Sequence, residues 1–366
     1  MFFSVTVLVF IAGIMSQPYI HSQWRGYEAK QAVDIVQRGI TRCSASDNRL
    51  TRVSCLRSAL ESAVRRFGIR GSMDALRTFM VGYGGGSGIE VANCHDIAHV
   101  IGKIGVQSTH NAKSSLSQCT NLCGDGCFHG VVEGFLASGG NMQDASETLC
   151  DPADTSCFHG LGHGIATTVG ELHKSLKYCD HVVSEAGKEQ CGYGVLMELY
   201  ESSTFGHEVL QLPSDVVGFC NDLGGIYKEV CLSKAGIHEY TRTKDVVSAG
   251  AVCAKVPGTS HCLNLLGVLI FWQFQDSPSG LVDACEKTGP DRWQECVRGA
   301  VLESVNIDPL ARQGFAICAL VLGVYAPRCY ETLGKSIEST DGLSERRRLC
   351  SQAPGDGARF CSTDTL

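Results

Sequence analysis

The sequence lacks the features that mark several large classes of protein. It has no cluster of basic residues interleaved with aromatic side chains, and its 38 acidic residues outnumber its 31 basic ones. Nucleic-acid-binding surfaces are usually built from such clusters, so nucleic acid is not expected as a partner. The chain also has no glycine-rich phosphate loop, no nucleotide-binding fingerprint and no pattern typical of a Ser-His-Asp hydrolase. The sequence therefore indicates none of these functions, and its chemistry has to be inferred from other residues.

Apolar runs of the length that a transmembrane helix needs, about 18 residues or more, are also lacking. The run 263–274 is too short to span a bilayer and is predicted to be a buried helix. The run 2–15 has the length of a signal-peptide core, but no Lys or Arg precedes it. We therefore predict that residues 1–20 are a signal peptide or an uncleaved N-terminal anchor. Contact with a membrane is expected only through such an anchor.

Cysteine, in contrast, is abundant, with 20 residues in a chain of 366. Eighteen of them fall into nine close pairs: Cys43/Cys55, Cys119/Cys127, Cys150/Cys157, Cys179/Cys191, Cys220/Cys231, Cys253/Cys262, Cys285/Cys296, Cys318/Cys329 and Cys350/Cys361. Helix-like segments such as 172–178 and 297–305 flank the pairs. We predict that each pair is a disulfide joining the end of one helix to the start of the next. So many disulfides indicate an oxidising compartment: the periplasm, the cell surface or the extracellular medium.

The spacing of the cysteines predicts a repeat. The second cysteine of each pair, together with Cys94, recurs in steps of 30 to 40 residues that centre near 33. This period is typical of helical-hairpin arrays and resembles the tetratricopeptide class in period alone. We predict an all-α, disulfide-stapled helical-hairpin array, an α-solenoid. Residues 24–90 would form an N-terminal repeat and glycine-rich loop, 91–200 the histidine-rich repeats and 201–366 the C-terminal disulfide-linked repeats.

Two cysteines stand outside the nine pairs. Cys94 opens the second unit, which has no other cysteine, and Cys123 lies inside the loop of the third unit. One interpretation is a disulfide between them that ties adjacent units together. The alternative is that one or both are thiolate ligands or reactive thiols.

Three segments, which begin at Cys94, Cys127 and Cys157, each carry a pair of metal-ligating side chains four residues apart. The pairs are His95/His99, His129/Glu133 and His159/His163. On a helix this spacing places both side chains on one face, so that each helix can offer two ligands to one ion. Histidine favours zinc, copper, iron or nickel. We predict a site for one or two divalent transition ions, with zinc or copper favoured over iron. The corresponding positions in later repeats (Tyr193/Met197, Ser233/Ile237, Asn264/Val268 and Arg298/Leu302) cannot form a comparable site.

Residues 95–99 resemble the His-Glu-x-x-His motif of zincin metalloproteases, with Asp96 at the position of the glutamate. Asp96 and Glu133 are therefore the candidate proton acceptors. Glu198 and the His207-Glu208 pair are candidates to hold the ligands in orientation. For every histidine the alternative is a hydrogen-bonded core or capping residue, and this is the preferred interpretation for the remaining, scattered histidines.

Two functions from different classes fit these residues. The first is an exported metalloenzyme, either a zinc hydrolase or a copper or iron oxidase. The second is a non-catalytic solenoid that binds a protein or peptide partner on its repeat surface, or carries or buffers metal. The glycines at positions 130, 134, 160, 162 and 164 are costly in helices and are expected to permit close helix–helix or helix–ligand approach.

Overall fold

A computed structural model describes residues 28–43, 49–83, 91–151, 155–205, 215–274, 276–290 and 292–362. Within these ranges the regular structure is helical and contains no strand, so the all-α prediction is confirmed. None of the described helices is both long and apolar enough to cross a bilayer. The apolar run 2–15 and the His207-Glu208 pair lie outside the described residues.

The helices follow one another through short connections. In chain order they are α1 (28–43), α2 (Arg49–Tyr83), α3 (Val91–Thr109), α4 (Ala112–Leu116), α5 (Gly126–Ala137), α6 (Met142–Asp144), α7 (Thr155–Val169), α8 (Leu172–Cys179), α9 (Glu185–Phe205), α10 (Val216–Asp222), α11 (Gly225–Ser233), α12 (Ala235–Thr243), α13 (Val246–Cys253), α14 (Thr259–Gln273), α15 (Pro278–Glu286), α16 (Trp293–Ile307), α17 (Arg312–Leu320), α18 (Ala326–Asp341), α19 (Leu343–Cys350) and α20 (Gly357–Ser362). A π-helical turn (Ala145–Leu149) follows α6, and a 3₁₀ turn (Gly323–Tyr325) precedes α18. Residues 263–273 of the apolar run lie in α14, where Leu263, Leu266, Ile270 and Phe271 are buried.

Side-chain caps stand at the start of many helices that lead into a disulfide. Asn111, Asn141, Glu171, Asp215, Asp245 and Ser277 accept hydrogen bonds from the first turns of α4, α6, α8, α10, α13 and α15. Helices α17 and α19 also lead into a disulfide but have no such side-chain bond, and neither do α5, α11, α14, α16 and α18, which follow one. Near the start of α5, α14, α16 and α18 lies a disulfide cysteine, whose bond to the preceding helix fixes where the chain enters it.

All nine predicted local disulfides are present, with partners 7 to 12 positions apart in the sequence. Cys94 and Cys123 are also bonded to each other, across 29 residues. This tenth bond confirms the first interpretation of the two spare cysteines and excludes both as free thiols. Closing loops of this length stabilises a fold by about 2–4 kcal/mol each in the chain-entropy account.

Helices α3, α5, α7 and α9 each pack against the next, and α14, α16, α18 and α20 form a similar series. Glycine permits the close approach. A Cβ built on Gly130 would collide with the carbonyl oxygen of His99, and one on Gly162 with that of Cys191. In the second series a Cβ on Gly299 would collide with the carbonyl of Asn264. The prediction of close helix approach is confirmed at Gly130 and Gly162, and Gly299 shows the same kind of contact.

The array closes on itself. Arg77 of α2 forms a 2.6 Å ion pair with Asp341 of α18, and the Cys123 amide donates to the Asn306 carbonyl of α16 at 3.0 Å. These contacts join the N-terminal helices to the C-terminal ones. The helices consequently surround a common interior in which side chains from both halves meet. The description of the array as a solenoid of period 33 stays a prediction.

Candidate metal centre

The interior contains a cavity of about 390 Å³, lined by residues from the third helix to the sixteenth. All six predicted metal ligands line it: His95 and His99 on α3, His129 and Glu133 on α5, and His159 and His163 on α7. Three adjacent helices therefore turn their paired side chains into one space. The six side chains thus share one cavity, although the structure does not make all of them equivalent.

The cavity wall follows the repeat. Glu133 and His163 lie six residues after the second cysteine of their units, and the next three units place Met197, Ile237 and Val268 at the same offset. All five side chains line the cavity. The same register thus supplies polar ligands from the early units and apolar wall from the later ones.

Three histidines form the tightest cluster. His129, His159 and His163 can each offer one nitrogen such that the three nitrogens lie within 4.8 Å of one another. The ring centroid of His129 is 4.9 Å from that of His159 and 4.6 Å from that of His163. His129 and His163 are buried, with only 3% and 6% of their surfaces exposed. The cluster could hold one metal ion.

A carboxylate orients the third imidazole. Nδ1 of His163 lies 2.5 Å from Oε1 of Glu198, which is itself buried. If Nδ1 donates its proton to this carboxylate, a neutral His163 presents the lone pair of Nε2 to the cavity. Such a carboxylate–histidine contact is the usual support of a metal-bound imidazole. Glu198 thus occupies the orienting position predicted for it.

The nitrogens that face each other have ligand-like spacing. Nε2 of His163 lies 3.0 Å from Nε2 of His159. Two nitrogens bound to one tetrahedral zinc ion, each about 2.0–2.1 Å from it, are about 3.3 Å apart. Nε2 of His129 is buried and has no hydrogen-bond partner among the described residues. A buried imidazole nitrogen without a partner is costly unless a ligand satisfies it. The residues present therefore fit a bound metal ion.

Electrostatics favour the neutral form of two of these imidazoles, those of His129 and His159. Burial lowers the pKa of His129 well below its ordinary value, and the neighbouring His163 and His159 lower it further. Burial likewise lowers the pKa of His159, followed by the effects of His163 and Lys234. Metal binding requires neutral imidazole, because a protonated nitrogen has no lone pair to give. The lowered pKa values of His129 and His159 thus favour the protonation state that a metal needs.

His99 and Glu133 form a second group beside the cluster. Nε2 of His99 lies 3.0 Å from Oε1 of Glu133, and Nζ of Lys103 is 3.5 Å from Oε2 of the same carboxylate. Burial disfavours protonation of His99, but the charge and hydrogen bond of Glu133 outweigh it, so the pKa of His99 is raised. The Glu133 side chain therefore lies between an imidazole and a lysine ammonium.

The remaining two candidates on α3 have different surroundings. Nδ1 of His95 lies 3.0 Å from the carbonyl oxygen of Cys123, whose disulfide ties this loop to α3. Burial, followed by the charge of His99, lowers the pKa of His95 to about 4. Asp96 is buried and does not line the cavity. The zincin-like segment therefore contributes its histidines to the wall, and a catalytic role for Asp96 stays a prediction that its position does not favour.

Sequence reasoning missed the opposite wall of the cavity. Lys234, only 1% exposed, places Nζ 3.9 Å from the centre of the Tyr193 ring, which lies 5.1 Å from that of His159. Glu303 lines another part of the same wall, where it accepts hydrogen bonds from Asn306 and Trp272. Burial raises the pKa of Glu303 to about 7.

Sequence offsets could have found these residues. Lys234 lies three residues after the second cysteine of its unit, where Gly130, Gly160 and Gly194 stand in the three preceding units. A lysine at this position sets its unit apart from the three that precede it. Glu198 and Glu303 share an offset of seven residues. The seventh residue after the second cysteine lies four residues, about one helical turn, beyond the third, so the two positions share one helix face.

Comparison with known proteins gives no relative from which a function could be inferred. No protein-family model, no curated protein and no solved structure matches this chain. The ten disulfides still indicate an oxidising compartment. The functional argument therefore depends on the cavity and its residues.

Proposed function

We propose that the protein is an exported metalloenzyme, a hydrolase that holds one zinc ion on His129, His159 and His163. The supporting observation is the convergence of three imidazoles in one cavity: the pKa values of His129 and His159 are lowered, and His163 contacts Glu198. Three histidines leave a fourth position for water or substrate, the arrangement of catalytic rather than structural zinc sites. The disulfides suit the periplasm, the cell surface or the extracellular medium.

The proton acceptor would be Glu133. Its carboxylate lines the same cavity and has His99 on one oxygen and Lys103 near the other. When bound, zinc supplies a water of lowered pKa and polarises the bond to be cleaved. Glu133 would take the proton from the attacking water, and His99, whose pKa is raised, can carry it onward. Glu133 is thus assigned to proton transfer, although it was also predicted as a ligand.

Metal content tests the ligand assignment. Full-length chain purified without a histidine tag should contain about one zinc per molecule by elemental analysis. His129→Ala, His159→Ala and His163→Ala should each lower zinc affinity more than about 100-fold, because loss of a direct ligand exceeds the 10–100-fold effect of an outer-shell residue. His173→Ala, at an exposed position on α8, is the control and should retain full zinc. Full occupancy in any of the three folded variants contradicts the assignment.

Activity separates the ligands from the acid–base pair. His99→Ala and Glu133→Gln should retain zinc but lose hydrolysis of a panel of small esters and amides. Removal of zinc with a chelator should abolish the same activity, and added zinc should restore it. Preferential copper or iron uptake with consumption of dioxygen would indicate the oxidase instead. Tightly held metal without turnover would indicate a metal carrier.

A further inference from the structure

An apolar stripe lines the half of the cavity wall that lies away from the metal candidates. Its six side chains are Met197, Ile237, Leu265, Val268, Trp272 and Ile307. Leu265, Val268 and Trp272 are spaced i, i+3 and i+7 on α14, which puts them on one face of that helix. Helix α14 packs against α12 and α16, which contribute Ile237 and Ile307. The stripe therefore follows from the way these helices pack.

The protein does not cover the stripe completely. Met197, Leu265, Val268 and Trp272 are only half-buried, although they line an internal cavity. An apolar ligand that covers such surface removes it from water, which is favourable in proportion to the area. The cavity volume of about 390 Å³ lies near the lower end of the roughly 300–1,000 Å³ range of small-molecule pockets. A short aliphatic chain fits this space, whereas a polymer or a folded partner does not.

The stripe begins beside the histidine cluster. The ring centre of Tyr193 lies 5.1 Å from that of His159, and Met197 stands one helical turn farther along α9 on the same face. The residue after Met197 is Glu198, which contacts His163. One small molecule can therefore place a polar group at the cluster while its body lies along the stripe.

Charge is concentrated away from the stripe, none of whose six side chains is ionisable. The ammonium of Lys234 lies against the Tyr193 ring, near the histidine cluster. Glu303, beside Trp272, accepts hydrogen bonds from Trp272 and Asn306, and burial raises its pKa to about 7, so its charged form is disfavoured. A charged group of a ligand placed on the stripe would lose its water without gaining a well-matched partner. The part of the ligand that covers the stripe is therefore uncharged.

From these observations we infer that the substrate is an uncharged aliphatic ester or amide, whose carbonyl group lies at the histidine cluster while its alkyl chain packs on the stripe. Hydrolysis forms a bond between the water oxygen and the carbonyl carbon and breaks the bond from that carbon to the leaving oxygen or nitrogen. The proton that Glu133 takes from the water passes to the leaving group, so the products are an acid and an alcohol or amine. The inference rests on the proposed function for the site and names its substrate class.

The test measures how binding depends on chain length. Straight-chain primary amides from acetamide to decanamide are uncharged probes, and isothermal titration calorimetry gives their affinity for the metal-free, full-length chain. Each added methylene should tighten binding about three- to fourfold until the stripe is covered, because each removes a similar apolar area from water. Beyond that length the affinity should level off or fall, since the cavity is closed.

A charge at the far end of the chain tests the uncharged character of the ligand. Adipamate and 6-aminohexanamide resemble hexanamide but end in a carboxylate and an ammonium. Both should bind at least about tenfold more weakly than hexanamide, because the charge would be buried against hydrocarbon.

Two substitutions at one position of the stripe should move the optimum in opposite directions. Val268→Trp fills part of the cavity and should shift the tightest binding to a shorter amide, whereas Val268→Ala should shift it to a longer one. Val183→Trp is the matched control: Val183 is 79% exposed in the loop between α8 and α9, so the length profile should not change. Circular dichroism is the folding control for all three variants.

Several outcomes overturn the inference. One is a wild-type affinity that does not depend on chain length, and another is an affinity that still rises at decanamide, which would indicate an open apolar surface. Tighter binding of either charged probe than of hexanamide also overturns it, as does an unchanged length profile in folded Val268→Trp. If Val268→Trp does not fold, Val268→Ala decides, and the wild-type series decides if neither variant folds.

Measuring zinc content alongside these titrations separates this inference from the proposed function. A chain-length optimum that moves with Val268, in a chain that takes up no zinc, supports the aliphatic ligand and contradicts the metalloenzyme. Zinc bound at one equivalent by wild type and Val268→Trp alike, without any dependence on chain length, supports the metal site and contradicts the substrate class.

Discussion

The two halves of the cavity wall use one helical framework for different chemistry. Helices α3, α5 and α7, with Glu198 of α9, present five histidines and two carboxyl groups, whereas Met197 and helices α12, α14 and α16, together with Lys234, present mainly apolar side chains, one cation and a carboxyl group of raised pKa. Both halves have the same staples and the same close glycine contacts. The comparison shows that the scaffold sets where side chains point, while substitutions at a few fixed offsets decide what they do.

The largest difference between the two halves is expected when one disulfide is removed from each. Cys285→Ser/Cys296→Ser is expected to lower the free energy of unfolding by about 2–5 kcal/mol, with zinc affinity unchanged. Cys94→Ser/Cys123→Ser should lower zinc affinity about tenfold as well, because the bridge positions the carbonyl that holds His95 beside the cluster. Denaturant unfolding and zinc titration measure both quantities. Unchanged zinc affinity in the second variant would show that its bridge serves stability alone.

Adding one methyl group at the close helix contacts gives a second comparison. Gly130→Ala and Gly299→Ala should each destabilise the fold by about 1–3 kcal/mol or more, because the new Cβ meets a backbone carbonyl that cannot turn away. Only Gly130→Ala is expected to weaken zinc binding, since it separates α3 from α5. Gly82→Ala, in a helix where nothing lies within 4 Å of the added Cβ, is the control and should not destabilise. Equal stability of all three variants would argue against this packing.

Glu198 and Glu303, which both lie seven residues after the second cysteine of their units, allow a third comparison. Glu198→Gln should weaken zinc binding about 10–100-fold, because an amide supports the His163 imidazole less well than a carboxylate. Glu303→Gln, at the same offset in the other half, should leave zinc affinity within about twofold of wild type, well below that range. Competition titration with a zinc-binding dye gives both affinities. A similar loss in the two variants would mean that the metal lies deeper in the cavity than the cluster of three histidines.

The smallest expected effect is on the pH dependence of stability. Burial raises the pKa of Glu303 to about 7, so between its unfolded value near 4.5 and pH 7 the folded chain binds the extra proton. Stability contributed by this group is therefore present at low pH and is lost as the pH rises through 7. Glu303→Gln removes the titration. Relative to wild type it should gain about 1–3 kcal/mol between pH 5 and pH 8, measured by denaturant unfolding of metal-free protein. A constant difference across this range would contradict the shifted pKa.

Much of the scaffold could be predicted because cysteine spacing reports local geometry. A disulfide between Cys179 and Cys191 requires only that two consecutive helices lie close together. The short segment that connects the two cysteines, which are 12 positions apart, is enough to ensure this. The i, i+4 pairs likewise depend on helix geometry alone, so His159 and His163 could be placed on one face from their spacing. Glu198 could be proposed as an orienting residue, but its contact with His163 depends on how α9 packs against α7.

Closure of the array could not be predicted in the same way. It depends on small rotations between successive helices, which add up along the chain and have no signature in any single repeat. The pairing of Arg77 with Asp341 joins residues 264 positions apart. Lys234 and Glu303 were overlooked for the same reason: in an open array they would lie far from the histidines. Their part in the cavity follows only from the closed arrangement.

Closure also changes how the molecule is expected to come apart. In an open array each unit touches only its neighbours, so the ends fray first and unfolding spreads inward. In this chain the ion pair between Arg77 and Asp341 joins α2 to α18, so neither end of the array is left without support from the other. Loss of any one segment would open the ring and admit water to the buried imidazoles. Hydrogen exchange should therefore show helices at opposite ends of the sequence losing protection together, as one cooperative unit.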